Sequence, residues 1–386
     1  RSRYSEAEPL YQRSLSIRKQ QLGAEHPDTA TSLNNLAGLY GAMGRYSEAE
    51  PLYQRSLSIR KQQLGDEHPD IAGSLNNLAL LYWSQNRFDQ SLDFLARGLD
   101  VVETNILQNV ATLTEAEQRA YLNTVGYTED WIVSLHLQHL PTNPQASRVA
   151  LTTILRRKGR ILDTLSNRLQ RLRADASPAD RQRLQQLSQL YTELTNLYNK
   201  GLGKLTPEAY RQQVQTLETQ IEQGQKQLAQ TLPELSPEPV TLEAIQALIP
   251  QDAALIEFFR YQPFNPKAKS GEKKYGTPHY AAYVLRPGKS DPVGIDLGEA
   301  AAIDQRLEFF RQQLTDPTST NRLSQISKMV YQAVFQPLTP YLGNATHLLI
   351  SPDSNLNLIP FAALQNPQGQ YLLEQYEITA LSSGRD

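Results

Sequence analysis

Arg3-Tyr4-Ser5-Glu6-Ala7-Glu8-Pro9 recurs unchanged as Arg45-Tyr46-Ser47-Glu48-Ala49-Glu50-Pro51, and the offset between the two copies is 42 residues (45 − 3 = 42). A weaker third copy begins at Arg87-Phe88-Asp89, again 42 residues further on (87 − 45 = 42). Self-similarity at a fixed period of about 20–50 residues is typical of stacked repeat architectures. The first part of the chain is therefore predicted to be an α-helical repeat solenoid.

Each repeat is predicted to consist of two helices, because apolar residues recur at helical spacing in both halves. The first half carries Leu33, Leu36, Ala37 and Tyr40, and the second carries Ala49, Leu52, Tyr53 and Leu57. Asp28 and Asp70 are predicted to be the N-caps of the first helices. Gly44 is predicted to form the turn between the two helices, since a left-handed backbone is inexpensive for glycine.

Small side chains at Ala37, Ala49 and Ser56 alternate with bulky ones in a way that resembles the tetratricopeptide repeat. The extension Ile59–Gly65 and the stretch Leu75-Asn76-Asn77-Leu78-Ala79 are similar to the kinesin-light-chain variety of that repeat. The resemblance places the repeat domain at residues 1–103. Because the sequence starts inside a repeat unit, we expect further repeats before Arg1.

The resemblance implies that the inner, concave face of the repeats binds an extended peptide or a partner protein. By repeat position, Asn34 and Asn76 fall on that face, and an amide can both donate to and accept from a peptide backbone. We therefore take Asn34 and Asn76 as candidate partner-binding residues. The alternative is that these asparagines hold neighbouring repeats together.

Residues 104–235 are predicted to be a helical region containing a hairpin or short coiled coil. Within it, the basic cluster Arg156–Arg160 is predicted to be a solvated helix face with acidic partners inside the chain. His136 and His139 stand three residues apart, but no third metal ligand is evident. Packing is expected for these two histidines, and no metal or cofactor site is predicted.

The periodicity changes after Leu235-Ser236-Pro237, where short apolar runs typical of buried strands begin. The predicted strands are Ala254–Phe259, Tyr280–Leu285, Val293–Leu297 and His347–Ile350, with helices at about 300–314 and 320–336 before the last one. The segment between the first two strands is polar and rich in proline and lysine, and it is predicted to be a loop excursion.

The stretch Ile350–Leu364, with the sequence ISPDSNLNLIPFAAL, is the most diagnostic part of the second half. The strand is predicted to end at Pro352 and Asp353, and Leu358, Pro360 and Phe361 are predicted to face the core. This pattern resembles the CHAT domain, a caspase-like domain associated with tetratricopeptide repeats. The fold class is therefore an α-helical repeat solenoid plus a helical linker, followed by a partial α/β caspase-like domain at residues 236–386.

The resemblance implies a cysteine peptidase whose histidine activates a thiolate nucleophile. The family's His-Gly and Ala-Cys motifs follow the Pro-Phe-Ala-Ala-Leu segment, and this sequence has no cysteine and stops at Asp386 before either motif. We therefore expect a fragment truncated before the catalytic His and Cys, and no catalytic residue is assigned. The chain would be the regulatory, partner-binding portion of a peptidase. The alternatives are a non-catalytic scaffold and, ranked last, a kinesin-type cargo adaptor.

The composition and charge of the chain limit which other classes of partner are expected. A net charge of −2 and a pI near 6.4 give no general attraction to nucleic acid or to an anionic membrane. No signal peptide or membrane span is recognisable, so a cytoplasmic location is expected. The family resemblance implies a bacterial, in particular cyanobacterial, source. A sheet cut after its first strands would expose an edge, and we expect the C-terminal region to self-associate.

Overall fold

The computed structural model describes most of the chain. The described residues are 2–110, 127–158, 207–231, 240–268, 272–288, 291–314 and 320–384, with scattered positions between 177 and 193. They form two compact units. The first comprises residues 1–103, 126–158 and 239–386, and the second comprises residues 104–125 and 159–238.

Five helices build the repeats at the start of the first unit. They are α1 (Ser2–Leu22), α2 (Pro27–Ala42), α3 (Tyr46–Leu64), α4 (Pro69–Ser84) and α5 (Phe88–Val110). Gly44 has φ of 76°, which confirms the predicted left-handed turn between α2 and α3. The repeats stack through one ion pair that recurs at the 42-residue offset. Arg45 lies 2.8 Å from Glu8, and Arg87 lies 2.8 Å from Glu50.

The predicted caps of α2 and α4 were wrong. The N-cap residues are His26 and His68, whose Nδ1 atoms accept hydrogen bonds from the backbone N–H of Asp28 at 3.1 Å and of Asp70 at 3.2 Å. Proline follows each histidine at the first helical position, where its fixed φ suits a helix start. The helix therefore begins one step before each aspartate, and the aspartates lie in the first turn.

Four further helices follow: α6 (Tyr127–His139), α7 (Pro144–Arg157), α8 (Pro207–Thr231) and α9 (Leu242–Leu248). In the second unit, Gly224 of α8 lies so close to Leu187 that an added Cβ would be 2.9 Å from its Cδ1 atom. Much of residues 104–235 lies outside the described residues, so the hairpin there stays a prediction. None of the helices in the described parts of the chain has the length and apolar character needed to cross a bilayer.

A five-stranded mixed sheet with the order β3-β2-β1-β4-β5 forms the rest of the first unit. Its strands are β1 (Ala253–Tyr261), β2 (His279–Leu285), β3 (Val293–Glu299), β4 (His347–Ser351) and β5 (Glu377–Ala380). β2 runs antiparallel to β1 and β3, whereas β4 runs parallel to β1 and β5. The four predicted strands are confirmed. β5 was not predicted, because it is short and none of its residues is fully buried.

Helices cover both faces of the sheet. Helices α10 (Ala300–Leu314) and α11 (Thr320–Val334) pack on the face that carries Ile256. Helices α6 and α7 pack on the opposite face, which carries Leu255, and that core continues into Trp83 of the repeats. The repeats and the sheet therefore share one hydrophobic core.

Candidate functional site

The two candidate partner-binding asparagines occupy different environments. Asn34 is half-buried, and its Oδ1 accepts a hydrogen bond of 2.9 Å from Nδ2 of Asn77 in the next repeat. Asn76 is 5% exposed and faces α5, where a Cβ added at Gly98 would lie 2.5 Å from its Oδ1. The Asn34–Asn77 bond links neighbouring repeats. Binding of a partner by Asn34 and Asn76 stays a prediction.

A groove lies on the first repeat, between the repeat helices and the excursion that joins β1 to β2. It encloses about 730 Å³, and α2 and α4 form one wall while residues 264–268 and 272–274 contribute the other. Polar and apolar atoms both line it. Its side chains include Tyr53, Asn77 and Ser84 from the repeats.

The difference between the two repeats explains why the groove is open there. Gly38 and Gly41 line it in the first repeat, and the residues 42 positions later are Leu80 and Trp83. The Trp83 ring packs edge-on against Phe264 of the excursion, with 5.7 Å between ring centroids. In the second repeat, bulky side chains packed against the excursion thus occupy the equivalent space. In the first repeat, the glycines leave that space open.

Contacts of Phe264 and Lys267 hold this part of the excursion in place beside the groove. Phe264 is 4% exposed, its backbone N–H donates to Ser134 Oγ at 3.0 Å, and its ring packs on Trp131 at 5.1 Å. Lys267 Nζ donates to Asn86 Oδ1 at the end of α4, at 2.6 Å. The charged side chains that this wall adds to the groove are Lys267, Glu272 and Lys274.

A second polar cluster lies at the carboxyl ends of β1 and β4. Strand alternation places Glu257 on the face covered by α6 and α7, and it is fully buried. Its Oε1 lies 2.5 Å from Lys158 Nζ and accepts a hydrogen bond of 2.8 Å from Ser351 Oγ. Burial raises the pKa of Glu257 above its ordinary value, and Lys158, with the bonds from Ser351 and Gly384, offsets part of this rise.

The basic cluster was predicted to be a solvated helix face, and that prediction was wrong for two of its members. The Arg157 side chain is only 7% exposed and lies 3.8 Å from Glu129, and the Lys158 side chain is 14% exposed beside Glu257. The expectation of acidic partners is confirmed for residues 156–158, where Arg156 pairs with Asp100 at 3.0 Å, and Gly159 and Arg160 lie outside the described residues. Sequence reasoning missed Glu257 because it is a single charge inside an apolar strand, which is itself a signal for a buried partner.

The Ile350–Leu364 motif differs from its predicted orientation. Phe361 is buried as expected, but Leu358 is 51% exposed and Pro360 is exposed, so the prediction was wrong for these two. A 3₁₀ turn over Ser354–Leu358 has three residues per turn, which directs Leu356 inward instead.

The strand ends at Ser351, one residue before Pro352, which is buried. The Asp353 Oδ2 accepts a hydrogen bond of 2.7 Å from the backbone N–H of Arg260 in β1. This bond ties the turn after β4 to the neighbouring strand.

The histidines serve packing and hydrogen bonding. His136 is fully buried, and its Nδ1 lies 3.0 Å from the Tyr283 hydroxyl. Burial lowers the pKa of His136 to about 4. His139 stacks on Phe88 with ring centroids 4.4 Å apart. Within the described residues, no three His, Asp or Glu side chains converge as metal ligands.

Ser351 and Lys158 have the spacing of a nucleophile and its base, with 2.7 Å between Ser351 Oγ and Lys158 Nζ. Ser351 is fully buried, however, and its hydroxyl donates to Glu257. A substrate carbonyl cannot reach a hydroxyl in that position. The cluster is therefore structural in the conformation described, and the open groove is the candidate functional site.

Two family models match parts of the chain, one near each end. The tetratricopeptide repeat model matches residues 1–62 and 38–104, and the CHAT domain model matches residues 324–386. No curated protein matches the chain. Among solved structures, the crystal structure of BtubC (BKLC) from P. vanneervenii matches at 20% identity with a TM-score of 0.31, covering 43% of this chain and 59% of that one.

Proposed function

We propose that this chain, which carries tetratricopeptide repeats at its N-terminus and a CHAT-domain segment at its C-terminus, binds an extended segment of a partner protein in the groove on its first repeat. Tetratricopeptide repeats in general bind protein partners. The groove is proposed to hold the partner against the excursion between β1 and β2. The partner would then be presented to the caspase-like half.

One observation carries this proposal: the first repeat leaves open the space that the second repeat fills. Gly38 and Gly41 occupy the positions that Leu80 and Trp83 occupy in the second repeat. The cavity beside these glycines has a volume of about 730 Å³, which falls within the range of ligand sites. Asn77 and Ser84 supply hydrogen-bonding groups along its repeat wall. A peptide needs both features, because its backbone must be hydrogen-bonded while its side chains are buried.

The test fills the groove with the residue that the second repeat has. In Gly41→Trp, the added Cβ meets only Leu81 Cδ1 at 3.8 Å, so a Cβ fits at this position without a clash. The matched control is Gly73→Thr, which gives α4 the residue that α2 has at position 31. An added Cβ at Gly73 meets nothing within 4 Å.

Peptides would be selected from a random-peptide phage library on the immobilised chain and measured by fluorescence anisotropy. Gly41→Trp should raise Kd at least about 10-fold, which corresponds to about 1.4 kcal/mol, while Gly73→Thr leaves Kd unchanged. Failure to select any peptide, or equal binding to Gly41→Trp, would remove the groove from consideration. Thermal unfolding of both variants verifies that each is folded.

We further propose that the chain is the regulatory part of a cysteine endopeptidase, as the CHAT match suggests. Residues 1–386 contain no cysteine, so the nucleophile of such an enzyme would have to lie elsewhere in the protein. Labelling of the full gene product with an iodoacetamide probe tests this idea. A labelled cysteine paired with histidine supports a peptidase, and its absence supports the alternative, a non-catalytic interaction scaffold.

Self-association of the C-terminal region also remains a proposal. β5 pairs with β4 along one edge, and along its other edge no strand pairs with it among the described residues. An unpaired edge can add a strand from a second molecule. Sedimentation velocity over a wide concentration range should show a dimer. A monomer throughout that range contradicts the proposal.

A further inference from the structure

Lys158 is the last residue of the first compact unit before the second unit resumes at Gly159. It is the C-cap of α7, and its side chain reaches into the carboxyl edge of the sheet. Its ammonium lies within hydrogen-bonding distance of four acceptors. These are Glu257 Oε1 at 2.5 Å, Ser351 Oγ at 2.7 Å, and the carbonyl oxygens of Phe258 and Ser351, both at 3.1 Å.

The other carboxylate oxygen of Glu257 holds a third segment of the chain. Gly384, which follows β5, donates its backbone N–H to Glu257 Oε2 at 2.7 Å. A Cβ at Gly384 would lie 2.6 Å from that oxygen and 2.9 Å from Leu155 Cδ2, so only glycine fits here. One buried carboxylate thus joins the end of α7 to the segment after β5.

The bonds in this cluster depend on one another. Glu257 is fully buried, and a buried carboxylate is stable only when it is paired and hydrogen-bonded. If α7 moves and withdraws the ammonium, the carboxylate must become protonated or turn toward water. Either response weakens the bond from the Gly384 N–H, because an ionised acceptor in fixed position makes the stronger bond.

We infer that Lys158 is a positioning residue that couples the last turn of α7 to the carboxyl edge of the sheet. A displacement of that turn that withdraws the ammonium releases Glu257, and with it the segment after β5. The turn that begins at Ser351 loosens at the same time, since Ser351 shares both partners. This coupling is independent of the proposed groove.

Hydrogen exchange of the full chain, followed by mass spectrometry, tests the coupling. Lys158→Met keeps the length of the side chain and removes its charge. It should speed exchange about 10-fold or more at residues 381–384 and 351–353, whereas residues 27–100 keep their wild-type protection. Unchanged exchange at 381–384, or an equal increase across the whole unit, overturns the inference.

A rescue variant separates positioning from general damage. In Lys158→Met with Glu257→Gln, the amide oxygen can still accept from Gly384, and no unpaired charge remains. Exchange at 381–384 should return most of the way toward wild type. If the double variant exchanges as fast as Lys158→Met, Lys158 does not act through Glu257, and the inference is wrong.

Discussion

Helices α1 and α3 have the same sequence and different surroundings. Residues 3–23 and 45–65 are identical, yet Ile17 is 42% exposed while Ile59 is completely buried. Tyr11 is 38% exposed, and its counterpart Tyr53 is 8% exposed. Periodicity therefore makes both segments helical and amphipathic, but it does not decide how much of each apolar face is covered.

The difference arises from the helix that precedes α3. Ile59 packs with Ala30 and Leu33 of α2, and Ser56 Oγ donates to the Ala30 carbonyl oxygen at 2.7 Å. Both helices contact the helix that follows them in the same way. Helices α1 and α3 therefore have the same sequence in this chain, and their surroundings differ in whether a helix packs on the side of Ile17 or Ile59.

The largest expected effect comes from shortening the buried isoleucine. Ile59→Ala removes a fully buried side chain and leaves a cavity between α2 and α3, so it should lower the free energy of unfolding by about 2–5 kcal/mol. The matched control, Ile17→Ala, should lower it by less than about 1 kcal/mol. Urea unfolding measures both. Equal losses would mean that α1 is covered in solution as α3 is.

The next prediction concerns the pH dependence of stability, to which the buried His136 contributes. Burial lowers the pKa of His136 to about 4, below the ordinary 6.5, so the folded state binds fewer protons than the unfolded state in that range. The contribution of His136 to the free energy of unfolding should be fully present above pH 6.5. It should decline, by on the order of 1–3 kcal/mol, as the pH falls toward 4. His136→Gln should remove most of this decline.

Urea midpoints of the wild type and of His136→Gln, followed between pH 7 and pH 4.5, measure this dependence. A slope that persists in His136→Gln would assign the acid sensitivity to other groups.

The smallest effect concerns the arginines at equivalent positions. Arg60 is 8% exposed, and Nη1 donates to Ser74 Oγ at 2.8 Å while Nη2 donates to Thr31 Oγ1 at 3.3 Å. Arg18 makes the first type of bond, to Ser32 at 3.1 Å, and is half-buried. Arg60→Met should destabilise by about 1–2 kcal/mol, and Arg18→Met by less than about 1 kcal/mol. The reverse order would show that the preceding helix adds nothing to this site.

Local signals predicted the elements of the fold well. The apolar run at Ala254–Phe259 became β1, because a short β-branched and aromatic run without helical periodicity suits a strand buried on both faces. Local signals failed where two apolar residues two positions apart compete for the same place in the core. Leu358 and Leu356 are both apolar, and only the 3₁₀ turn decides which one enters the core.

The candidate site was predictable in part. The repeat pattern predicted that the repeats bind a partner, and the glycines at 38 and 41 were readable as departures from the second repeat. Partnerships between distant residues were not readable. Lys158 and Glu257 are 99 positions apart, and no periodicity in the sequence connects them. Their pairing depends on the packing of α7 across the sheet.

The sequence by itself determined the repeat period, the helical and strand segments, and the relationship to tetratricopeptide repeats and the CHAT domain. These properties depend on neighbours within a few residues or on identity at a fixed offset. Only the tertiary structure decided which of two identical helices is covered, which repeat remains open, and which lysine pairs with the buried glutamate. Burial is set by the atoms that surround a side chain, and those atoms come from segments far away along the chain.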